Sequence, residues 1–253
     1  MGSPVPVLLY HAVTDRPSGW IADYTVRPDD FARHVELIAE SGRTPVTLSA
    51  LRAGFGGTGS LPERPVVITF DDGFADTVEV AGHVLARHGI VSTVYVTSDF
   101  VASGRSPGND RMMSWDQVRG LAADGHEIGA HSHTHPQLDM LPAATSRDEI
   151  FRSKRLIEDA LGGEVRSFAY PHGYHTARVR AQVAAAGFDS ACAVRNAFTA
   201  ADDHPLALAR LMLTARTTAA DVEAWLAGTS APTAPALDPV RTKVYRAWRR
   251  FRS

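Results

Sequence analysis

The chain has one cysteine, Cys192, among 253 residues. That excludes an intramolecular disulfide and any cysteine-rich zinc site. A metal bound here must be held by histidine and carboxylate. No run of 18 or more apolar residues occurs, so no segment reads as a membrane-spanning helix. Charge of one sign is also lacking. The formal net charge is −2, which argues against a general nucleic-acid binder. No basic leader, long apolar stretch or small-residue cleavage site precedes the first apolar run, so no signal peptide is read and a cytoplasmic location is expected. No glycine-rich phosphate loop follows a strand candidate, so the nucleotide-fold fingerprint is missing. What is present is ordinary for a globular protein: 44% hydrophobic and 21% charged residues, enough for a sizeable core. The eleven histidines stand out against that background.

The near-neutral charge adds two unlike segments. From residue 229 onward there are six basic residues and one acidic, whereas residues 1–228 hold 20 basic and 27 acidic. Residues 229–239 are rich in Pro, Ala and Thr and read as a semi-extended linker. Beyond them Val244, Trp248 and Phe251 recur at helical spacing among arginines. They suit a terminal helix that docks its apolar stripe on the body or meets a membrane surface or acidic partner. The expected organisation is therefore a folded body, 1–228, and a linker with basic tail, 229–253.

Within the body, short apolar runs bounded by Gly, Pro or charge predict buried strands at 5–10, 66–70, 91–96, 127–130, 167–170 and 206–213, with a weaker candidate at 189–194. Helical patterns fall between them, at 28–41, 74–88, 115–123, 142–161, 177–186 and 219–227. Most stop at a glycine. Alternation of this kind implies an α/β fold with a parallel sheet covered by helices, here a barrel, with its active site at the carboxyl ends of the strands.

Those ends carry unusual chemistry. The first strand closes on Tyr10-His11 and the second on Asp71-Asp72-Gly73. A later one closes on His131-Ser132-His133-Thr134-His135-Pro136, and another on Tyr170-Pro171-His172-Gly173. Two adjacent carboxylates at the end of a buried strand are electrostatically costly, although one of them could cap the following helix. Pro136 keeps His135 out of the helical region, so the histidine run is a turn. Such a turn can bring His131 and His135 to one centre while His133 points elsewhere. Histidine or paired aspartate at four strand ends fits a hydrolytic metal site.

At these residues the sequence resembles the polysaccharide deacetylase family, also called the NodB-homology family or carbohydrate esterase family 4. Thr69-Phe70-Asp71-Asp72-Gly73 matches one motif and His131-Ser132-His133-Thr134-His135 a second, about sixty residues later. The resemblance covers residues 5–227. The opening Val5-Pro6-Val7-Leu8-Leu9-Tyr10-His11 and the later Phe168-Ala169-Tyr170-Pro171 look most like the branch acting on poly-N-acetylglucosamine. The resemblance implies a distorted (β/α)7 barrel of NodB type and metal-dependent removal of an N-acetyl group. It implies Asp71 as general base and Asp72, His131 and His135 as ligands of a divalent metal, zinc by default with cobalt or nickel as substitutes. The backbone N–H of His172 would hold the oxyanion.

This chain departs from the family pattern in three places. In the R-x-P-Y motif, Ala169 stands at the arginine position and His172 at the tyrosine position. No tryptophan marks the fourth motif near residues 188–190. The fifth motif's histidine, the usual acid, is absent from 206–213, which carries Arg210 instead. Arg210 is expected to replace the missing arginine and pair with Asp71. The candidate acids are His11, His172, His175 and His204, with His11 and His172 preferred for their place at strand ends. Trp20, Tyr24, Tyr170 and His172 are candidate substrate contacts. Trp115, Trp225 and Cys192 read as packing residues, and His34, His83 and His88 as solvated helix positions.

The implied substrate is an N-acetylated amino sugar, either polymer or conjugate. Two other readings stay open at this point. One is a deacetylase or deformylase of a small amino-sugar intermediate, which an intracellular location favours. The other is a sugar-binding relative that has lost its chemistry, against which the intact Asp71 argues.

Overall fold

The computed structural model describes residues 4–234; the basic stretch around Trp248 lies outside the described residues. In chain order the elements are β1 (Val7–Tyr10), α1 (Pro28–Glu40), β2 (Thr44–Pro45), α2 (Leu48–Phe55), β3 (Pro65–Phe70), a π-helical segment Thr77–Gly82 running into α3 (His83–Arg87), and β4 (Thr93–Val96). Then come α4 (Ser98–Ser103), α5 (Trp115–Ala123), β5 (Glu127–Ala130), α6 (Ala143–Leu161), β6 (Ser167–Ala169), α7 (Ala177–Ala185), β7 (Ser190–Cys192), β8 (Leu211–Met212) and α8 (Ala219–Leu226). The sheet runs β7-β6-β5-β4-β3-β1-β8, with β2 paired to β3. Every strand pairing is parallel. The sheet curls until the segment before β8 meets β7, where Leu208 N–H donates to Ala191 O (2.8 Å) and Ala193 N–H to Leu208 O (2.9 Å). This is the α/β barrel that the alternating pattern implies, with the distorted NodB-type form that the resemblance implies.

The β-branched and aromatic runs form strands because their side chains are buried on both faces: all residues of β1, β3 and β4 are buried. Helices cover the outside through amphipathic faces. Helix α1 buries Phe31, Val35, Leu37 and Ile38. Helix α6 ends at Gly162 in the left-handed conformation, φ +68°, a geometry that costs glycine little. The Trp115 and Trp225 side chains are half-buried against the core, and Cys192 is buried inside the barrel.

Several expectations need correction. The run expected as one strand at 206–213 changes partner midway. Leu208 serves β7, and only Leu211–Met212 pairs with β1. The weaker candidate at 189–194 needs none: it holds β7. The helix expected over 74–88 starts with a π-helical turn. His34 is not solvated. It is fully buried on α1, and its Nδ1 lies 3.2 Å from the Tyr10 hydroxyl; burial lowers its pKa to about 4. Pro232 and Ala234, in the stretch read as linker, lie against the body through backbone hydrogen bonds to Phe198. Among the described residues no helix is long and apolar enough to cross a membrane.

Candidate active site and metal centre

The carboxyl ends of β1, β3, β5 and β6 meet at one mouth. A cavity of about 410 Å³ opens there, lined by His11, Trp20, Tyr24, Asp71, Asp72, His131, His135 and His172 among others. At its floor the ligand atoms of Asp72, His131 and His135 all lie within 4.8 Å of one another. Asp72 Oδ1 is 3.4 Å from His131 Nε2 and 3.2 Å from His135 Nε2. No other group of three or more such side chains is found among the described residues.

Local backbone geometry makes this convergence. Asp72, Ser132, His135 and His172 all take positive φ, between 59° and 72°, a region that costs a non-glycine residue of order 1 kcal/mol or more. Neighbouring hydrogen bonds hold the strained turns. Asp72 O accepts from Thr97 N–H (3.2 Å), and His131 N–H donates to Val96 O (3.0 Å). Ser132 Oγ accepts from His135 N–H (3.0 Å). Glu149, buried on α6, accepts from the backbone N–H groups of His133 (3.0 Å) and Thr134 (2.8 Å) and from the Thr134 hydroxyl (2.7 Å). His133 points away from the centre, with its Nδ1 2.8 Å from Ser98 Oγ.

The donor set fits a divalent cation. Asp72 Oδ1 is buried and makes no hydrogen bond, a costly state unless a cation sits nearby. His131 Nδ1 lies 2.8 Å from Ala169 O. A carbonyl only accepts, so Nδ1 carries the proton and the Nε2 lone pair faces Asp72. Burial lowers the His131 pKa to about 4, keeping the ring neutral as a ligand must be. Burial pushes the Asp72 carboxyl up, but His135 outweighs it, and the group lies well below the usual range. Two imidazoles and one carboxylate leave coordination positions open.

Arg210 lies beside this cluster. It is not at a carboxyl end: it immediately precedes β8, and its fully buried side chain rises through the barrel interior. Its two terminal nitrogens donate to the two oxygens of Asp71 at 2.7 Å each, which is the pairing expected from the missing arginine. Asp71 Oδ2 lies 3.7 Å from His131 Nε2. Burial raises the Asp71 pKa, but the charge and hydrogen bonds of Arg210 outweigh it and hold the carboxyl ionised.

Residues 58–191, just over half of the chain, match the pattern of the family described as Polysaccharide deacetylase. The chain belongs to the polysaccharide deacetylase family. It is similar to YxkH of Bacillus subtilis, 25% identical over 169 residues that make up 67% of this chain and 57% of that protein. It is also similar to the chitooligosaccharide deacetylase of Bradyrhizobium, 30% identical over 148 residues, 56% of this chain and 60% of that one. The chain thus matches less than two thirds of the length of these relatives. The fold is shared with the Streptococcus pyogenes deacetylase PplD (TM-score 0.79, 19% identity, 88% of this chain and 97% of that one).

Within this polysaccharide deacetylase family member, the other site candidates separate. His11 and His172 line the cavity. The His172 ring lies 4.8 Å from that of His135, and the buried His11 Nδ1 makes no hydrogen bond. His175 packs on Tyr170 away from the mouth (rings 4.7 Å apart), and His204 is exposed and accepts from Leu206 N–H. Tyr170 does not line the cavity. It is fully buried and its hydroxyl donates to Leu206 O, because the residue after β6 points back into the core. Trp20 and Tyr24 do line the cavity, Tyr24 with 39% of its surface exposed. Sequence reasoning missed Glu149. Its signal was a carboxylate on the apolar face of α6, in line with Ser146, Ile150 and Ile157.

Proposed function

We propose that this protein is a metal-dependent hydrolase that removes the N-acetyl group from an N-acetylated amino sugar. The observation that carries this reading is the pairing of two arrangements at one cavity floor: a carboxylate locked ionised by Arg210, and beside it a three-ligand Asp/His/His cluster. A pure binding module has no use for a buried, charge-held base next to a metal site. The similarity to a chitooligosaccharide deacetylase supports an N-acetylglucosamine-type substrate, and the opening motif supports the poly-N-acetylglucosamine branch.

In this reading Asp72, His131 and His135 hold a divalent ion, zinc by default for this donor set. The ion, when bound, supplies Lewis acidity toward the acyl carbonyl and lowers the pKa of water. Asp71 takes the proton of the attacking water through the carboxylate edge nearer the cluster, and Arg210 fixes that edge. As the C–N bond breaks, the amine leaves with a proton from a histidine of the cavity, His11 or His172. The backbone N–H of His172, at its strained turn, stabilises the oxyanion. The products are acetate and the free amino sugar.

The test is acetate release from N-acetylglucosamine oligomers by the zinc-loaded protein, with Asp71→Asn, His11→Ala and His172→Ala compared. Loss of kcat by about 10²-fold or more is expected for Asp71→Asn and for one of the two histidine variants. A wild-type rate in Asp71→Asn would overturn the assignment of the base. Acetate or formate released only from small amino-sugar conjugates would move the substrate class.

A further inference from the structure

One wall of the cavity is built with more care than a lining residue needs. Trp20 belongs to the segment after β1, yet its position is set by a loop ninety residues away. The Asp110 carboxylate accepts from Trp20 Nε1–H (2.6 Å), Ser18 Oγ (2.6 Å), Ser18 N–H (3.1 Å) and Ser106 Oγ (2.8 Å). Asp110 N–H in turn donates to Ser106 Oγ (3.0 Å). Partial burial pushes the Asp110 pKa up, but the hydrogen bonds from Ser18, Trp20 and Ser106 outweigh it and keep the group ionised.

Gly108 completes the fitting. A Cβ there would fall 1.9 Å from Trp20 Cδ1 and 2.2 Å from Ser18 Oγ, so only a residue without a side chain lets the indole edge lie on that backbone. The indole also packs on Phe74 (centroids 6.0 Å) and edge-on to Phe100 (6.4 Å), while Phe100 packs on the metal-ligating His135 (6.0 Å). Trp20 is therefore fixed relative to the cluster from two sides, and it lines the same cavity as Asp71 and Asp72.

We propose that Asp110 and Gly108 form a socket that presents the Trp20 indole as the wall on which the substrate's pyranose ring stacks. Asp110 is then a positioning residue for sugar recognition. A pyranose offers an apolar C–H face that matches an aromatic plane, and a wall held rigid before binding loses less entropy when the sugar arrives. The inference rests on the reading of the substrate as an amino sugar.

The test follows the Trp20 indole N–H signal in nitrogen-15 spectra of the full zinc-loaded chain, assigned with Trp20→Phe. The tetramer of N-acetylglucosamine is the titrant. In the wild type the signal is expected to move on titration. In Asp110→Asn the free-state signal should shift and its exchange with water quicken. Both Asp110→Asn and Gly108→Ala should weaken sugar binding by about tenfold, with KM for acetate release rising to match and kcat falling less than about threefold. An unmoved free-state signal in Asp110→Asn would overturn the socket. An indole that ignores the sugar, or equal affinity in the variants, would overturn the wall even where acetate is released. Sugar binding at Trp20 without acetate release would leave the socket standing and sink the deacetylase reading instead.

Discussion

Arg210 meets Asp71 end-on with both arms of its guanidinium, 2.7 Å to each oxygen, and the two side chains are 0% and 3% exposed. The same guanidinium donates to Thr69 Oγ1 (3.2 Å) and Ala193 O (3.3 Å) and lies over the Tyr95 ring at 5.6 Å. Two charges removed from water lose hydration worth several kcal/mol each. Bidentate geometry and satisfied donors offset that loss here. The pair thus fixes both the charge and the orientation of the carboxylate.

Arg210→Met is expected to destabilise the protein by about 3 kcal/mol or more, because Asp71 is left buried and unpaired. Arg210→Lys keeps the charge and loses the fork. It should retain metal at the wild-type level while kcat for acetate release drops by about 10²-fold. Denaturant unfolding and metal analysis, run beside the kinetics, check this. A wild-type kcat in Arg210→Lys would show that the fork does not orient the base.

Removal of the metal by chelation should abolish acetate release and lower Tm. The stability lost corresponds to about 3–4 kcal/mol at metal concentrations 100–1,000 times Kd. Added zinc should restore both, and Asp72→Ala should respond to neither treatment. Calorimetric scans with and without chelator provide the measurement. Full activity in metal-free protein would exclude the role given to the cluster.

Glu149→Ala should loosen the turn that carries His135. Metal affinity is expected to weaken by about tenfold, with a stability loss of about 1–3 kcal/mol from the orphaned N–H groups of His133 and Thr134. Glu149→Gln, which keeps an acceptor, should fall between. Titration calorimetry with zinc separates this from a packing effect, since lower Tm with unaltered metal affinity would make Glu149 a purely structural residue.

Asp76 carries a pH dependence of its own. Burial raises its pKa to about 7, a backbone N–H from Val13 opposes this, and Asp110 and Glu79 add to it. The folded state therefore holds this proton more tightly than the unfolded chain does. Stability falls as pH rises from about 4 to about 7 and stays reduced above that. Asp76→Asn should raise Tm at pH 8 by a few degrees and leave it near the wild-type value at pH 4. Equal Tm differences at both pH values would contradict the shift.

Asp71, Asp72 and His131 were legible because they stand at the ends of β3 and β5, and His135 because it closes the short turn that follows β5, where local sequence and site position coincide. The place of Arg210 was legible only through what the third and fifth motifs lack. Its approach through the barrel interior was not, since that depends on how the last strand closes. The 206–213 run looked continuous because burial is the same whether a residue serves β7 or β1; the change of partner near Arg210 is a tertiary fact. Helix α4, Ser98–Ser103, is too short to show a period. Glu149 and Asp110 act through hydrogen bonds to backbone or side chains 15 and 90 residues away, and nothing in their own neighbourhoods announces the partner. His34 misled because a polar residue on a helix face reads as solvated until a tyrosine covers it.

The position of Arg210 has a consequence in time. During synthesis Asp71, Asp72, His131 and His135 have all emerged by residue 135, yet the residue that restrains Asp71 comes 75 positions later, just before the strand that completes the barrel. A nascent or truncated chain ending near residue 205 would carry the ligands without the restraint on Asp71. Under the proposed mechanism such a chain is expected to release acetate far more slowly than the full chain.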